Sequence, residues 1–479
     1  MKTTTLNTKI IKNILLAFVL VLGMFFGFAA CGTNVGFDDG PSNADVVTGN
    51  GTSAVMYGDY LYYVNGYTGY ASVGDTNVYG KVIYAAIYRT KLVDGKVVEN
   101  EKKYDEDGNE IFDKTQGIQN TGRLVSKVCG FEKTQLYIFG NYLYYTTPGN
   151  QVAKNGTIES DHVDFCRIKI DGHTRSEKLL TTESTVDNIQ YYMYEYNEKA
   201  YLVVKDGNIL KIGECTNNSF KLNTLDGTNY NVSSIAPTRY TRSTDTVSAF
   251  DQAVYFTYTK TDTLKGNVIA QYDLTTKTVS DISPLNNSTY TLIGSVGGKL
   301  YYNKQLLIAP GTSGAYLYYN DLNGGFLSGE HQLSQSAYTA TNITPYNADK
   351  IGAYINNGTN VYAFDDNGAK TESITGNATV VAQKGNYLLY TLDNTLYKLN
   401  TLEGGEAQSV VALSSAEATT NTLTVISDHQ FCYLKEYTNS QGTSYYMHYI
   451  DTDIATDDGY YEHFVGVLVE KDYLDEPTE

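Results

Sequence analysis

The sequence predicts an all-β fold: a single β-propeller of four-stranded antiparallel blades, eight in number, with seven as the alternative. Three observations carry that reading. One short aromatic strand recurs, since Gly58-Asp59-Tyr60-Leu61-Tyr62-Tyr63 returns almost letter for letter as Gly140-Asn141-Tyr142-Leu143-Tyr144-Tyr145, with looser copies at 199–204, 252–257, 298–303, 385–390 and 430–434. From Val55 onward, runs of Tyr, Val, Ile, Leu and Thr are bounded by Asn-Gly, Asp-Gly and Gly-Gly pairs, which is the grammar of strands and hairpins. Anchors near 61, 143, 201, 255, 300, 353, 388 and 432 lie on average about 53 residues apart, close to the ~40–50 of well-known blade repeats.

The elements follow in order. Hairpins are expected over 203–212 around Asp206-Gly207, 354–364 around Asn356-Asn357-Gly358 and 389–399 around Asp393-Asn394. The long first interval holds a charged insertion between Gly95 and Thr121. Each sheet is apolar on both faces, so one blade cannot satisfy itself and stacking into a ring buries both. Either the last strand-like run, Glu462 to Glu470, or the segment Ala54 to Tyr57 is expected to complete a blade shared by the two ends.

The first thirty residues read as an export signal: Lys2, Lys9 and Lys12 precede an apolar stretch ending in Phe28-Ala29-Ala30-Cys31. Small residues before a cysteine are what a lipoprotein signal peptidase requires, although Phe28 stands where Leu is usual. The expected organisation is a signal peptide over 1–30, lipidation at Cys31, a flexible leash over 31–53, the propeller over 54–470 and an acidic tail over 471–479. The leash composition, rich in Gly, Asn, Ser and Asp, buries little apolar area. The expected location is the bacterial cell membrane, with the body held on the extracytoplasmic side by lipid inserted in the bilayer.

The full chain carries a net charge of −18, and without the three leader lysines about −21. Such a surface repels phosphates and argues against nucleic acid as a partner. Cys129, Cys166, Cys215 and Cys432 form no CxxC and no disulfide framework. Free buried thiols are favoured over disulfides, with Cys166 and Cys432 inside strand-like runs.

The Tyr-Leu-Tyr-Tyr strands, the runs Tyr397-Lys398-Leu399-Asn400 and Ile168-Lys169-Ile170-Asp171-Gly172, and the leader resemble bacterial lipoproteins that carry a propeller domain of unknown function similar to those of low-density-lipoprotein-receptor-related proteins. The resemblance spans most of residues 55–450. It implies a fold and a cell-surface setting, and it supplies no catalytic residue.

Motifs for chemistry are sparse. The six histidines include no HxH or HExxH spacing, and no GxSxG elbow occurs. Asp105, Asp107, Asn109 and Asp113 alternate as hard-cation ligands can, so Ca2+ is the one cofactor considered. Glu110 stands where an EF-type loop needs Gly, which favours a solvated acidic hairpin. The 45 tyrosines and no tryptophan suit inter-blade packing. The functional expectation is a monomeric, non-catalytic binding propeller for an extracellular protein, peptide or glycan. The alternatives are a carbohydrate-active enzyme with acids in the funnel and a small-solute-binding or sensory lipoprotein.

Overall fold

The repeated aromatic run forms a strand buried on both sides. In Tyr60–Val64, residues Tyr60, Tyr62 and Val64 pack with Ile138, Leu143 and Tyr145. Leu61 and Tyr63 face the other way and pack with Cys432, Leu434 and Met447. Successive side chains on a strand point to opposite faces, and here both faces are apolar. Burying each ring contributes about 1.5–3 kcal/mol relative to leaving it exposed, a gain available only when sheets stand on either side.

A computed structural model describes the chain from Gly40 to Val465, apart from 65–86, 112–121, 127–133, 149–161, 241–251, 261–265, 335–352, 415–422 and shorter breaks. The leader, Cys31 and the tail lie outside the described residues. Among the described residues, eight sheets of three or more strands follow one another in chain order, here numbered blades I to VIII, with one further two-stranded hairpin pairing Lys103–Tyr104 with Glu110–Ile111. Their second strands are Tyr60–Val64, Tyr142–Pro148, Lys199–Asp206, Ala253–Thr259, Lys299–Ile308, Asn360–Phe364, Tyr387–Leu392 and Gln430–Asn439. Seven of the eight recurrent anchors fall in these strands. The anchor near 353 falls instead in Ala353–Asn356, the first strand of blade VI, whose aromatic second strand is Asn360–Phe364. Blade VI has three strands among the described residues, because only Gly376-Asn377-Ala378 separates Lys370–Thr375 from the first strand of blade VII, Thr379–Lys384.

Apolar clusters join I to II, II to III, III to IV and IV to V, then VI to VII and VII to VIII. A further cluster joins VIII back to I and closes the ring. Among the described residues no strand pairs across the two ends, which corrects the expected closure for Ala54 to Tyr57 and for Glu462 to Val465, while 466–470 of that run lie outside the described residues. Ala54–Tyr57 pairs with its own neighbour Tyr60–Val64, and Gly459–Phe464 pairs with Gly442–Thr456. Face packing replaces strand pairing at the seam: the Tyr63 hydroxyl donates to the Val465 carbonyl, the Val97 amide donates to the Tyr461 hydroxyl at 3.0 Å, and Thr52 meets Thr424 at 2.5 Å.

The first strands of adjacent blades approach one another, as Ala54–Tyr57 does Tyr137–Gly140 and Asn231–Ile235 does Ser288–Val296. The last strands, such as Phe220–Leu225 and Gln408–Ala412, carry mostly exposed and half-buried residues. First strands therefore face the ring axis. The opening tyrosine of the repeat has a second role in blades I, II and VII: Arg89 stacks over Tyr60 at 4.4 Å, Arg167 over Tyr142 at 4.2 Å and Lys398 over Tyr387 at 4.2 Å. A ring face attracts a cation more strongly when water is excluded, and all three cations are buried.

Candidate functional site

Two segments lie on the axial edges of blades. Thr238–Tyr240 adds in parallel to the first strand of blade V, with Thr238 opposite Gly294 and Tyr240 opposite Val296. Ala44–Thr48 adds antiparallel to the first strand of blade II, with Ala44 opposite Gly140 and Thr48 opposite Ile138. This second segment belongs to the expected leash, so the flexible reading is corrected for these five residues. The physical reason is that Val46 and Val47 suit an extended strand and the edge of Tyr137–Gly140 offers unpaired backbone groups.

The Ala44–Thr48 strand is held at several points. Ala44 is buried in the cluster between blades I and II, whereas Val47 packs into the cluster between II and III. Three residues, Asp45 to Val47, oppose the single Phe139, and this bulge carries Asp45 and Val46 outward, Val46 being 56% exposed. The Val47 amide donates to Glu195 Oε2 at 2.9 Å, from the first strand of blade III. Asn217 donates to Asn43 Oδ1 at 3.1 Å and accepts from the Asn141 amide at 2.9 Å, tying the strand's start to the turn beside Gly140. At the far end, the Leu136 amide donates to the Thr52 carbonyl at 2.9 Å. Gly49, at φ +137°, passes where a Cβ would come within 2.5 Å of the Leu136 carbonyl oxygen.

A second constellation recurs in the outer half of three blades. Tyr258, Tyr302 and Tyr433 each donate a hydroxyl to a carboxylate on the last strand, Asp281 at 2.8 Å, Glu330 at 2.7 Å and Glu462 at 2.7 Å. In each case the residue two places on is a lysine reaching the same acid: Lys260 at 2.6 Å, Lys304 at 2.6 Å and Lys435 at 3.5 Å. Tyr-x-Lys on the second strand thus clasps an acid across the third. In blade VIII, His448 from that third strand joins through Nδ1 at 2.7 Å, and chiefly this bond holds the Glu462 carboxyl down at about 2. These groups brace strands, and the pattern was present in the sequence as Tyr258-Thr259-Lys260, Tyr302-Asn303-Lys304 and Tyr433-Leu434-Lys435.

Ser427, Asp428 and His429 come together in blade VIII, but Ser427 Oγ at 3.3 Å and Asp428 Oδ1 at 2.9 Å meet the same ring nitrogen, Nδ1. A nucleophile relay needs the serine and the acid on opposite nitrogens, so this trio is not arranged as one.

Of the calcium candidates, Asp105 accepts the amides of Asp107 at 2.9 Å and Asn109 at 2.8 Å, and its Oδ2 accepts from Asn109 Nδ2 at 3.1 Å. These bonds, the Asn109 amide foremost, hold its carboxyl below the usual carboxylate value. The carboxylate closes an exposed turn, and Asp113 lies outside the described residues. Among the described residues no three His, Cys, Asp or Glu side chains are placed to share a metal ion. Cys166, Cys215 and Cys432 are free buried thiols, and burial pushes Cys166 up to about 11 and Cys215 up to about 12. Cys129 is outside the described residues. Glu195 and Asn217, which touch the axial strand, had no motif to announce them.

No family model matches the sequence, and no curated protein does. Among solved structures, the chain is similar to a prolyl endopeptidase (13% identity, TM-score 0.43, covering 68% of this chain and 48% of that one). It is also similar to a puromycin-hydrolysing peptidase of Mycobacterium tuberculosis (8%, TM-score 0.40, covering 84% and 60%). The β-propeller domain of the Trilobed protease of Pyrococcus furiosus is a third (10%, TM-score 0.38, covering 74% and 95%). The chain spans about half to three fifths of the two peptidases' length, and the likeness is one of fold. The expectation of a non-catalytic binding module has no counterpart in these three, each a peptidase or the propeller domain of a protease.

Proposed function

We propose that the chain is the substrate-handling propeller of a peptidase-like enzyme, receiving extended polypeptide along the axial edges of its blades. The observation that supports it is the addition of two of the chain's own segments to those edges, one antiparallel on blade II and one parallel on blade V. Strand addition takes its affinity from backbone groups and its selectivity from alternate side chains, so it suits peptides of varied sequence. Both hydrogen-bonding directions are represented. With no GxSxG in the sequence, the hydrolytic nucleophile is assigned to a hydrolase domain or subunit working with the ring. Lipidation at Cys31 and a position on the extracytoplasmic side of a bacterial membrane belong to the same proposal, supported by Phe28-Ala29-Ala30-Cys31.

A short unstructured peptide carrying a benzophenone, added to membranes containing the protein, should crosslink to first strands such as Ala54–Tyr57, Ile189–Tyr196 and Asn231–Ile235, and should be cleaved. Crosslinks confined to last strands, or equal cleavage by membranes lacking the protein, would overturn the proposal.

A further inference from the structure

We propose that the inner edge of blade II, where Tyr137–Gly140 runs beside Ile189–Tyr196 of blade III, is a docking site for an extended peptide with a small residue and, three places on, a β-branched one. Ala44–Thr48 is its resident and displaceable occupant. This deepens the reading of the axial edges as peptide-receiving and rests on it.

The chemistry of the site comes from what the occupant does there. The bulge sets Ala44 and Val47 into different inter-blade clusters. Ala44 accordingly enters the I/II cluster beside Val55, Leu136 and Ile138, where it is 2% exposed. Val47 enters the II/III cluster beside Tyr137, Phe139 and Met193. The first position is thus sized for a small side chain and the fourth for a β-branched one. The Glu195 carboxylate reads the backbone amide of the fourth position, which every residue except proline provides. The two positions between them face outward and are unrestricted.

The same geometry makes the occupant weakly held. Its pairing with Tyr137–Gly140 is interrupted by the bulge, so the register has only two matched positions. Its advantage over a free peptide is the covalent tether, which supplies an effective concentration in the millimolar range. A peptide that makes the same contacts must compete with that tether. Weakening the resident strand should therefore raise apparent affinity by the reciprocal of the fraction of time the edge is vacant.

The test uses the full mature chain and, as probe, a fluorescein-labelled peptide of residues 41–50, Pro-Ser-Asn-Ala-Asp-Val-Val-Thr-Gly-Asn. Val47→Pro in the protein removes the amide that Glu195 accepts. This variant is expected to bind the probe at least roughly tenfold tighter than wild type, by fluorescence anisotropy. A probe with Glu at the Ala44 place should bind that variant at least roughly tenfold more weakly, since it would bury a charge. Hydrogen exchange should show the amides of Tyr137–Gly140 deprotected in Val47→Pro and protected again when probe is added. If Val47→Pro fails to fold, Ala44→Glu makes the same displacement. Equal affinity for wild type and variant, or indifference to Glu in the probe, overturns the inference. Protection of other first strands without Tyr137–Gly140 overturns this site alone and leaves axial peptide handling standing. Protection of Tyr137–Gly140 with no dependence of peptide cleavage on the chain sustains the site and overturns the enzyme reading.

Discussion

Replacing Lys211 with Met is expected to lower the thermal midpoint by about 3–6 °C. Lys211 Nζ and Asp206 Oδ2 lie 2.7 Å apart with both side chains buried. Lys211 also donates to the Thr181 carbonyl at 3.0 Å, while Asp206 accepts the amides of Glu183 at 2.7 Å and Ser184 at 3.0 Å. The pair therefore anchors the connection from blade II to blade III, directly beside Ile189, the start of the strand that carries Glu195. Removing one member of a buried pair costs ~3–5 kcal/mol, because the remaining charge stays desolvated without a counter-ion. For a chain of this length the unfolding entropy is roughly 0.9 kcal/mol/K, from ~2 cal/mol/K per residue, and dividing gives the shift. Differential scanning calorimetry from pH 7 to pH 3 supplies the control. Burial alone would push the Asp206 carboxyl up, but Lys211, the Glu183 amide and Ser184 outweigh it and hold the carboxyl below its ordinary value. A depressed carboxyl contributes stability that is present above its unfolded pKa of ~3.9 and is lost as pH falls through the folded value. The gap between wild type and variant should therefore be flat from pH 7 to about 5 and narrow below about 4. A shift under about 1 °C, or a gap that widens in acid, would refute the argument.

Other outcomes follow from the same contacts. Tyr62→Ala, deleting a ring fully buried between blades I and II, should cost ~3–5 kcal/mol in urea unfolding, whereas Tyr104→Ala at a 59% exposed position should cost under about 0.5 kcal/mol. Gly140→Ala, at φ +59° with a Cβ 2.0 Å from Asn217 Oδ1, should destabilise by more than about 1 kcal/mol and loosen the Asn217 bond to the Asn141 amide, visible as faster exchange of that amide. Glu330→Gln should cost about 1–3 kcal/mol, since it removes the acid shared by Tyr302 and Lys304. Cys31→Ser should abolish metabolic lipid labelling and release the protein from membranes, and unchanged labelling would end the lipoprotein reading.

The ring was legible in the sequence because its strands are unusual in being apolar on both faces. Tyr60-Leu61-Tyr62-Tyr63-Val64 has no polar side, and only stacked sheets can satisfy such a strand. The count of eight survived a misplaced anchor at 353, because a hairpin signal marks a blade whichever of its strands is recognised. What the sequence hid is what depends on distant pairing. Ala44–Thr48 is five residues in a Gly- and Asn-rich region, too short for periodicity to register, and its partner lies some ninety residues away in Tyr137–Gly140. The closing seam is similar: Tyr63 and Val465 meet because two completed blades pack, and local pattern carries no record of which strand will be adjacent. Glu195 stands next to last in a strand buried through its middle and reads as a solvated charge until the amide it accepts is seen. The Tyr-x-Lys clasp was visible in three copies but has no meaning without the acid on the last strand.

Edge strands must be protected from pairing with other chains, and the two edges of each blade meet that demand differently. Outer edges carry charge: Lys178 on Glu177–Thr181, Lys221 on Phe220–Leu225 and Glu462 on Gly459–Phe464 face water or hold ion pairs. Axial edges cannot use the same device freely, because like charges brought together around one axis would repel. Two of them are covered by short stretches of the chain itself. Under the proposed peptide-receiving role, a covering strand with few contacts would protect the edge when no peptide is present and yield when one competes. Blades II and V, which carry such covers, are accordingly where peptide should exchange most readily. Blade III supplies from its own edge strand the Glu195 carboxylate, which accepts the Val47 amide of the segment lying on blade II.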